Sequence, residues 1–328
     1  MSKSNDEKQS KPRVAVIGTG TMGTAMARRL LACGMDVGVW SRRPASMMPL
    51  VDVGATAYLT ASDAARDADV VISMLPTAEA TADVMFGNLV LGVMRPYAIW
   101  VQMATIGVEP TERLASEAWS VRPDVTFVDA PVSGSRAPAE AGQLLILASG
   151  PQAVAPSLEP VFGALGRATL WLGPAGGGSR MKLVLNTWLA FQTEGAAEAA
   201  AVAERLGVPS AAMLAALRDN PIASPYALGK LAKMVDHDYH ADFALDWALK
   251  DLDLAASSAG EGAAPVAVEI ADRWRRLVRT GSSGLDVSAA RQGLDDVAPA
   301  RPSRGSPDLQ IGGDRVPVDA LEPARAAS

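Results

Sequence analysis

The sequence predicts an α/β N-terminal half built as a doubly wound sheet, followed by an all-α C-terminal half. Two observations carry this. Up to about residue 170, short apolar runs alternate with segments of helical spacing, which implies right-handed βαβ units and a mostly parallel sheet. Beyond that point no strand pattern recurs, and alanine-rich helical patterns take over. At 328 residues the chain suits about two domains of common size. The expected division is a polar, disordered lead (1–12), an α/β domain (13–172), a helical domain (173–295) and a tail (296–328). The tail is rich in Pro, Ala, Gly and charge, a composition of disordered segments.

The elements follow in order. "RVAVIGTG" (13–20) is a buried strand running into a glycine turn, and "TMGTAMARRLLACG" (21–34) is a helix stopped by Gly34. "DVGVW" (36–40), "DVVISML" (69–75) and "YAIWVQM" (97–103) read as further strands, as do "DVTFVDAPV" (124–132) and "GQLLILASG" (142–150). "SRMKLVLNTWLAFQTEGAAEAAAVAERLG" (179–207) is one long helix. Helices over 210–219, 243–260 and 265–280 are among those that come after it, with Phe243 and Trp247 expected in their core.

Composition excludes several function classes. Hydrophobic residues make up 49 % and charged residues 20 %, with a net charge of −6. There is no basic stripe interleaved with aromatics, so nucleic acid is not an expected partner. The single cysteine, Cys33, cannot form an internal disulfide. No secretory signal pattern opens the chain, and no apolar run of about 18 residues occurs, so a cytoplasmic location without membrane contact is expected. His237 and His240 lie among aspartates but lack a third ligand at metal spacing, and no metal is expected.

Gly18-x-Gly20-x-x-Gly23 sits between the first strand and the first helix. The first glycine permits a tight turn, the second lets the backbone approach a pyrophosphate, and the third allows close helix–strand packing. Thr21 and Met22 complete this turn. The pattern predicts a Rossmann-type dinucleotide site. An NAD site usually ends its second strand with an acid for the ribose hydroxyls. This chain has Trp40-Ser41-Arg42-Arg43 instead. A hydroxyl and guanidinium forks suit a ribose 2′-phosphate, so NADP is favoured over NAD, with Arg42 the stronger candidate of the two arginines.

Six motifs, "VAVIGTGTMGTAMARRL", "VISMLP", "ATIGVEP", "DAPVSGSRAPAEAGQLLILASG", "GPAGGGSRMKLVLN" and "FALDWALKDLDLA", occur in the order seen in β-hydroxyacid dehydrogenases. The resemblance covers about residues 13–295. "APVSGSRAPAEAGQL" is most similar to the glyoxylate/succinic semialdehyde reductase branch. Imine reductases share the fold and many motifs but usually carry Asp or Tyr at the position of Lys182.

The resemblance implies hydride transfer between nicotinamide and a carbonyl carbon, with Lys182 as the catalytic acid/base. Burial and the helix N-terminus are expected to lower its pKa from about 10.4 toward about 7–8. Asn186, at i+4, shares its helix face and is expected to donate to substrate and aim the lysine. The glycines before it are expected to let the chain pass close to the cofactor. The resemblance further assigns a substrate carboxylate to Ser133, Gly134 and Ser135, and the nicotinamide side to Met74, Leu75, Pro76 and Thr105. It places Lys250 near both cofactor and carboxylate, while Asp251 is expected to cap or pair between helices. Gln102 and Ala104 depart from the usual Asp-x-Ser-Thr-Ile motif. A homodimer through the long helix is implied, with a tetramer left open. The readings that stay open are an NADPH-dependent aldehyde-acid reductase, an imine reductase and a non-catalytic dinucleotide-binding module.

Overall fold

The computed structural model describes residues 11–260 and 262–294. The expected tail and the first ten residues of the lead fall outside them. Six strands, β1 (Val14–Ile17), β2 (Val37–Trp40), β3 (Thr56–Ala57), β4 (Val70–Ser73), β5 (Ile99–Gln102) and β6 (Thr126–Asp129), form one sheet in the order β3-β2-β1-β4-β5-β6. Every pairing in it is parallel. Strands β1, β2, β4 and β5 are buried at every residue, which is why they read as unbroken apolar runs rather than alternations. Val14 and Val16 enter one apolar layer and Ala15 and Ile17 the opposite one, as the two-residue period of a strand requires. The strand order reverses between β1 and β4. At such a point the loops leaving the carboxyl ends part and open a crevice.

The run 124–132, expected as one strand, is two. After β6 the chain turns at Ala130-Pro131 and continues as β7 (Val132–Ser133) in a second sheet, β7-β8-β9. Pro131 has no N–H with which to extend the first ladder, and its carbonyl instead accepts from the amide of Leu147 at 2.9 Å. Strand β8 (Leu144–Ala148) runs antiparallel to β7 and parallel to β9 (Gly166–Trp171). Strands β3 and β9 were not expected from the sequence. Both are edge strands with no fully buried residue, so neither carries an apolar signature.

The helix Gly177–Arg205 runs for 29 residues and begins two residues earlier than expected. Helices Pro225–Val235, Leu245–Ala259 and Pro265–Leu277 pack around it, and no strand occurs among the described residues after β9. The fully buried Trp274 sits in their shared core, and its indole N–H donates to Glu194 at 2.9 Å. The expected helix 243–260 starts at Leu245 because Asp286 intervenes. The buried Asp286 carboxylate accepts from the amides of Asp242 and Phe243, which holds that segment extended. Lys230 caps the same carboxylate at 2.8 and 2.9 Å. No helix among the described residues is long and apolar enough to cross a membrane.

Candidate active site

The glycine turn after β1 divides its work as its spacing suggests. Gly18 has φ +104°, and a Cβ there would lie 2.4 Å from the carbonyl oxygen of Met74. A Cβ on Gly23 would lie 1.9 Å from the Gly18 carbonyl, so the helix Thr21–Ala32 packs directly on the turn. A Cβ on Gly20 would meet nothing within 4 Å. Gly20 is also the N-cap of that helix, whose first turn holds no acidic side chain. An open, amide-rich cradle at a helix N-terminus fits a pyrophosphate. Thr21 is exposed at its rim, and Met22 packs back against the core.

Beside this cradle, Ser41 is half-buried and Arg42 and Arg43 are exposed, with no ion-pair partner among the described residues. The Thr19 and Ser46 hydroxyls meet at 2.7 Å, and Ser46 donates to the Arg43 carbonyl at 2.8 Å, which ties the arginine loop to the glycine turn. After β4, Met74 is half-buried and Pro76 exposed, while Leu75 is buried beneath Gly18. After β5, Gln102 is fully buried and holds its own loop. Its amide donates to the Ala104 carbonyl at 2.6 Å, and its oxygen accepts from the Ala104 amide at 3.1 Å and from the Ser73 hydroxyl at 3.2 Å. The departure from an acid at this position thus leaves no orphaned group and presents Thr105, half-buried, at the loop's tip.

The helical half closes over that tip. The Lys250 amine donates to the Thr105 carbonyl at 2.5 Å and pairs with Asp251 at 2.8 Å. It also lies 5.8 Å from the centre of the Trp247 ring. Leu254, one turn on, would be 3.2 Å from a Cβ at Gly107. Trp247 is 44 % exposed, which corrects its expected place in the core. The reason is its register: Trp247, Lys250 and Leu254 share the helix face turned toward the Thr105 loop. Phe243 packs against the helical core but precedes the helix.

Lys182 sits in the second turn of the long helix, half-buried, with no hydrogen-bond or ion-pair partner among the described residues. Burial lowers its pKa, the Asp251 carboxylate opposes that shift, and the positive charge of Lys250 adds to it. Asn186 is buried, and its amide donates to Asp251 at 2.5 Å. One of the Asn186 donors is thus committed to Asp251, which leaves the other for substrate. Asp251 pairs between helices as expected.

The start of this helix also makes two contacts that the sequence did not announce. The glycines bring the chain close to the protein's own second sheet: a Cβ on Gly178 would lie 2.1 Å from the Leu147 carbonyl, and one on Gly177 would lie 2.2 Å from that of Leu172. The helix N-terminus, expected to depress the Lys182 pKa, also holds a buried carboxylate. Asp129, at the end of β6, accepts from the amides of Ser179 (2.8 Å) and Gly176 (3.2 Å) and from the hydroxyls of Ser179 (2.9 Å) and Ser149 (3.0 Å). Burial raises its pKa, and these four hydrogen bonds pull it back. Asp129 was missed in the sequence, although a lone acid inside the apolar run "TFVDAPV" was there to be read.

Ser133, Gly134 and Ser135 leave β7 beside the long helix, which touches β6, β7 and β8. Gly134 is exposed with φ +132°, and Ser135 begins the helix Arg136–Glu140 without spending its side chain on a cap.

A sequence model of the NAD-binding domain of 6-phosphogluconate dehydrogenase matches residues 13–173. One described as NAD-binding of NADP-dependent 3-hydroxyisobutyrate dehydrogenase matches residues 176–293. Glyoxylate/succinic semialdehyde reductase 1 of Arabidopsis thaliana is 31 % identical over 280 residues, covering 84 % of this chain and 96 % of the relative. The chain belongs to the β-hydroxyacid dehydrogenase family. As a member of that family it is an oxidoreductase that binds NAD(P). Its fold is similar to that of Mycobacterium tuberculosis 3-hydroxyisobutyrate dehydrogenase solved with L-serine, at TM-score 0.79 and 26 % identity over 87 % of this chain and 99 % of that one. An imine reductase from Myxococcus stipitatus shares the fold at TM-score 0.58 and 21 % identity, over 87 % and 99 % of the two chains.

Proposed function

We propose that the protein is an NADPH-dependent reductase interconverting a small aldehyde acid and its hydroxy acid, with Lys182 as the general acid in reduction and the general base in reverse. The observation that supports this best is the Lys182 amine: desolvated, without a partner among the described residues, and near Asp251 and Lys250, the latter bonded to the Thr105 carbonyl. Gly18, Gly20, Thr21, Met22 and Gly23 would hold the pyrophosphate, and Ser41, Arg42 and Arg43 the 2′-phosphate. Met74, Leu75, Pro76 and Thr105 would lie on the nicotinamide side, and bound NADPH supplies the hydride. As the carbonyl oxygen gains charge, Lys182 delivers a proton to it. A lowered pKa brings this donor nearer to the optimum for neutral solution. The turn Ser133–Gly134–Ser135, exposed at Gly134, offers amides and hydroxyls for the substrate carboxylate. Lys250 adds positive charge that favours an anionic substrate while it braces the Thr105 loop.

Residues 13–172 would serve as the dinucleotide-binding domain and 173–295 as the substrate and dimerisation domain. Val184 and Trp188 on the long helix, with Ala255, Ala256 and Ala259, line an apolar groove in the isolated chain, and both large side chains are mostly exposed. A second copy would cover such a surface, so the working unit is a homodimer or a tetramer built from it. The commitment of Gln102 to its own loop, in place of an acid, keeps cyclic imines as a second substrate class.

The test is NADPH oxidation over glyoxylate, succinic semialdehyde, methylmalonate semialdehyde and 1-pyrroline, with wild type and Lys182→Ala. Wild type should turn over an aldehyde acid, and the variant should lose about 10²–10⁴-fold in kcat while still binding NADPH. Turnover of 1-pyrroline that survives Lys182→Ala would favour the imine reading. No turnover of any substrate would leave a binding module.

A further inference from the structure

Ser179, Lys182 and Asn186 stand at i, i+3 and i+7 on the long helix and therefore form one stripe on its surface. The two outer members are each tied to a buried carboxylate. Ser179 is held by Asp129 through both its amide and its hydroxyl, and Asn186 is held by Asp251. Lys182, between them, has no such tie among the described residues.

We propose that Asp129 is a positioning residue for catalysis: acting through Ser179, it fixes the first turn of the long helix and so sets where the Lys182 amine stands.

Three observations support this. Asp129 has no exposure to solvent, so its carboxylate gains nothing from water, and its hydrogen-bonding capacity is met by the four donors already named. Two of those donors are backbone amides, which can only donate, so an acceptor is required at this position. The attachment is also stiff. Ser149, which donates to Asp129, accepts from the Gly178 amide at 2.9 Å, and the hydroxyls of Ser179 and Thr111 meet at 3.2 Å. One helix turn is thereby tied to β6, to Ser149 just past β8 and to the helix Val108–Val121. An ordinary N-cap would satisfy the helix end locally, whereas this arrangement references it to the sheet that also carries the coenzyme turn. The charged groups around the two residues are Glu112 and Arg180, paired with each other near Gly176, and Asp251 and Lys250 beside Lys182.

The inference rests on the role proposed for Lys182, so its test includes a readout that does not need turnover. Acetic anhydride labelling of the full-length protein across pH, followed by peptide mass spectrometry, gives the Lys182 pKa directly. Ser179→Ala removes the side-chain tether and leaves every charge in place. It should admit water to the amine, moving its labelling profile toward that of an ordinary lysine. It should also lower kcat by about tenfold or more, as displacement of a catalytic group by about an ångström does, while KM for NADPH stays within about twofold. Ser179→Thr, which keeps the hydroxyl, should restore both. Asp129→Asn, where it folds, should lower kcat at least as far. A wild-type labelling profile and wild-type kcat in Ser179→Ala would overturn the inference. So would a fall in kcat matched by an equal rise in KM for NADPH, which marks general loosening. A shifted profile in a protein that reduces no substrate would leave the positioning intact and remove the function proposed for the amine.

Discussion

A lysine ammonium withdrawn from water weakens the fold that holds it. With the Lys182 pKa below its unfolded value of about 10.4, the unfolded chain binds the extra proton. The penalty is complete below the folded-state pKa and fades as pH rises from there to the unfolded value. Lys182→Met should therefore raise the melting temperature at neutral pH, and the gain should shrink on titration toward pH of about 10. A melting temperature unchanged by Lys182→Met at every pH would show an amine already at home in solvent. Lys182 was singled out in the sequence by the family resemblance, with a glycine-rich lead and an asparagine at i+4 beside it. The partner of that asparagine was not, since Asp251 lies 65 positions away and only the packing of two helices brings them together.

The segments around the helices show where pattern reading runs short. Buried strands announce themselves through apolar runs, but β9 has no fully buried residue, and Pro131 divides a run whose composition is continuous. The connection into helix Leu245–Ala259 is set by Asp286, which is 41 residues beyond Leu245 in sequence. Burial alone would raise the Asp286 pKa, yet hydrogen bonds from Lys230 and Ser288 bring it below the usual carboxylate value. Its contribution to stability is present above the ordinary carboxylate pKa and is lost as pH falls through the lowered one. Asp286→Ala would leave Lys230, 7 % exposed, without its principal counter-ion, and should cost about 3–5 kcal/mol by urea titration. Because the same carboxylate fixes the approach to Lys250, activity measured well below the midpoint should fall as well. A loss under about 1 kcal/mol would mean that water or Asp242 takes over the pairing.

The parallel sheet and the all-helical second half could both be read from the sequence, because alternating strands and helices imply right-handed βαβ units. How the halves meet could not. Besides the ties of Asp129 and Ser149 to the start of the long helix, their junction includes Lys250 with Thr105, Arg180 with Glu112, Ser179 with Thr111 and Leu254 with Gly107, four pairs with no shared signature in sequence. The apolar groove along the long helix carries its own expectation. Trp188→Glu should shift the protein toward the monomer in sedimentation velocity, and the wild type should sediment as a dimer or larger. A wild-type monomer at micromolar concentration would remove the proposed assembly.

Those four junction pairs also bear on how the molecule melts. Heat cannot loosen the coenzyme half without dragging its neighbour along, so a calorimeter should record one endotherm rather than two. Saturating dinucleotide, although it touches chiefly the first half, should move that whole peak upward.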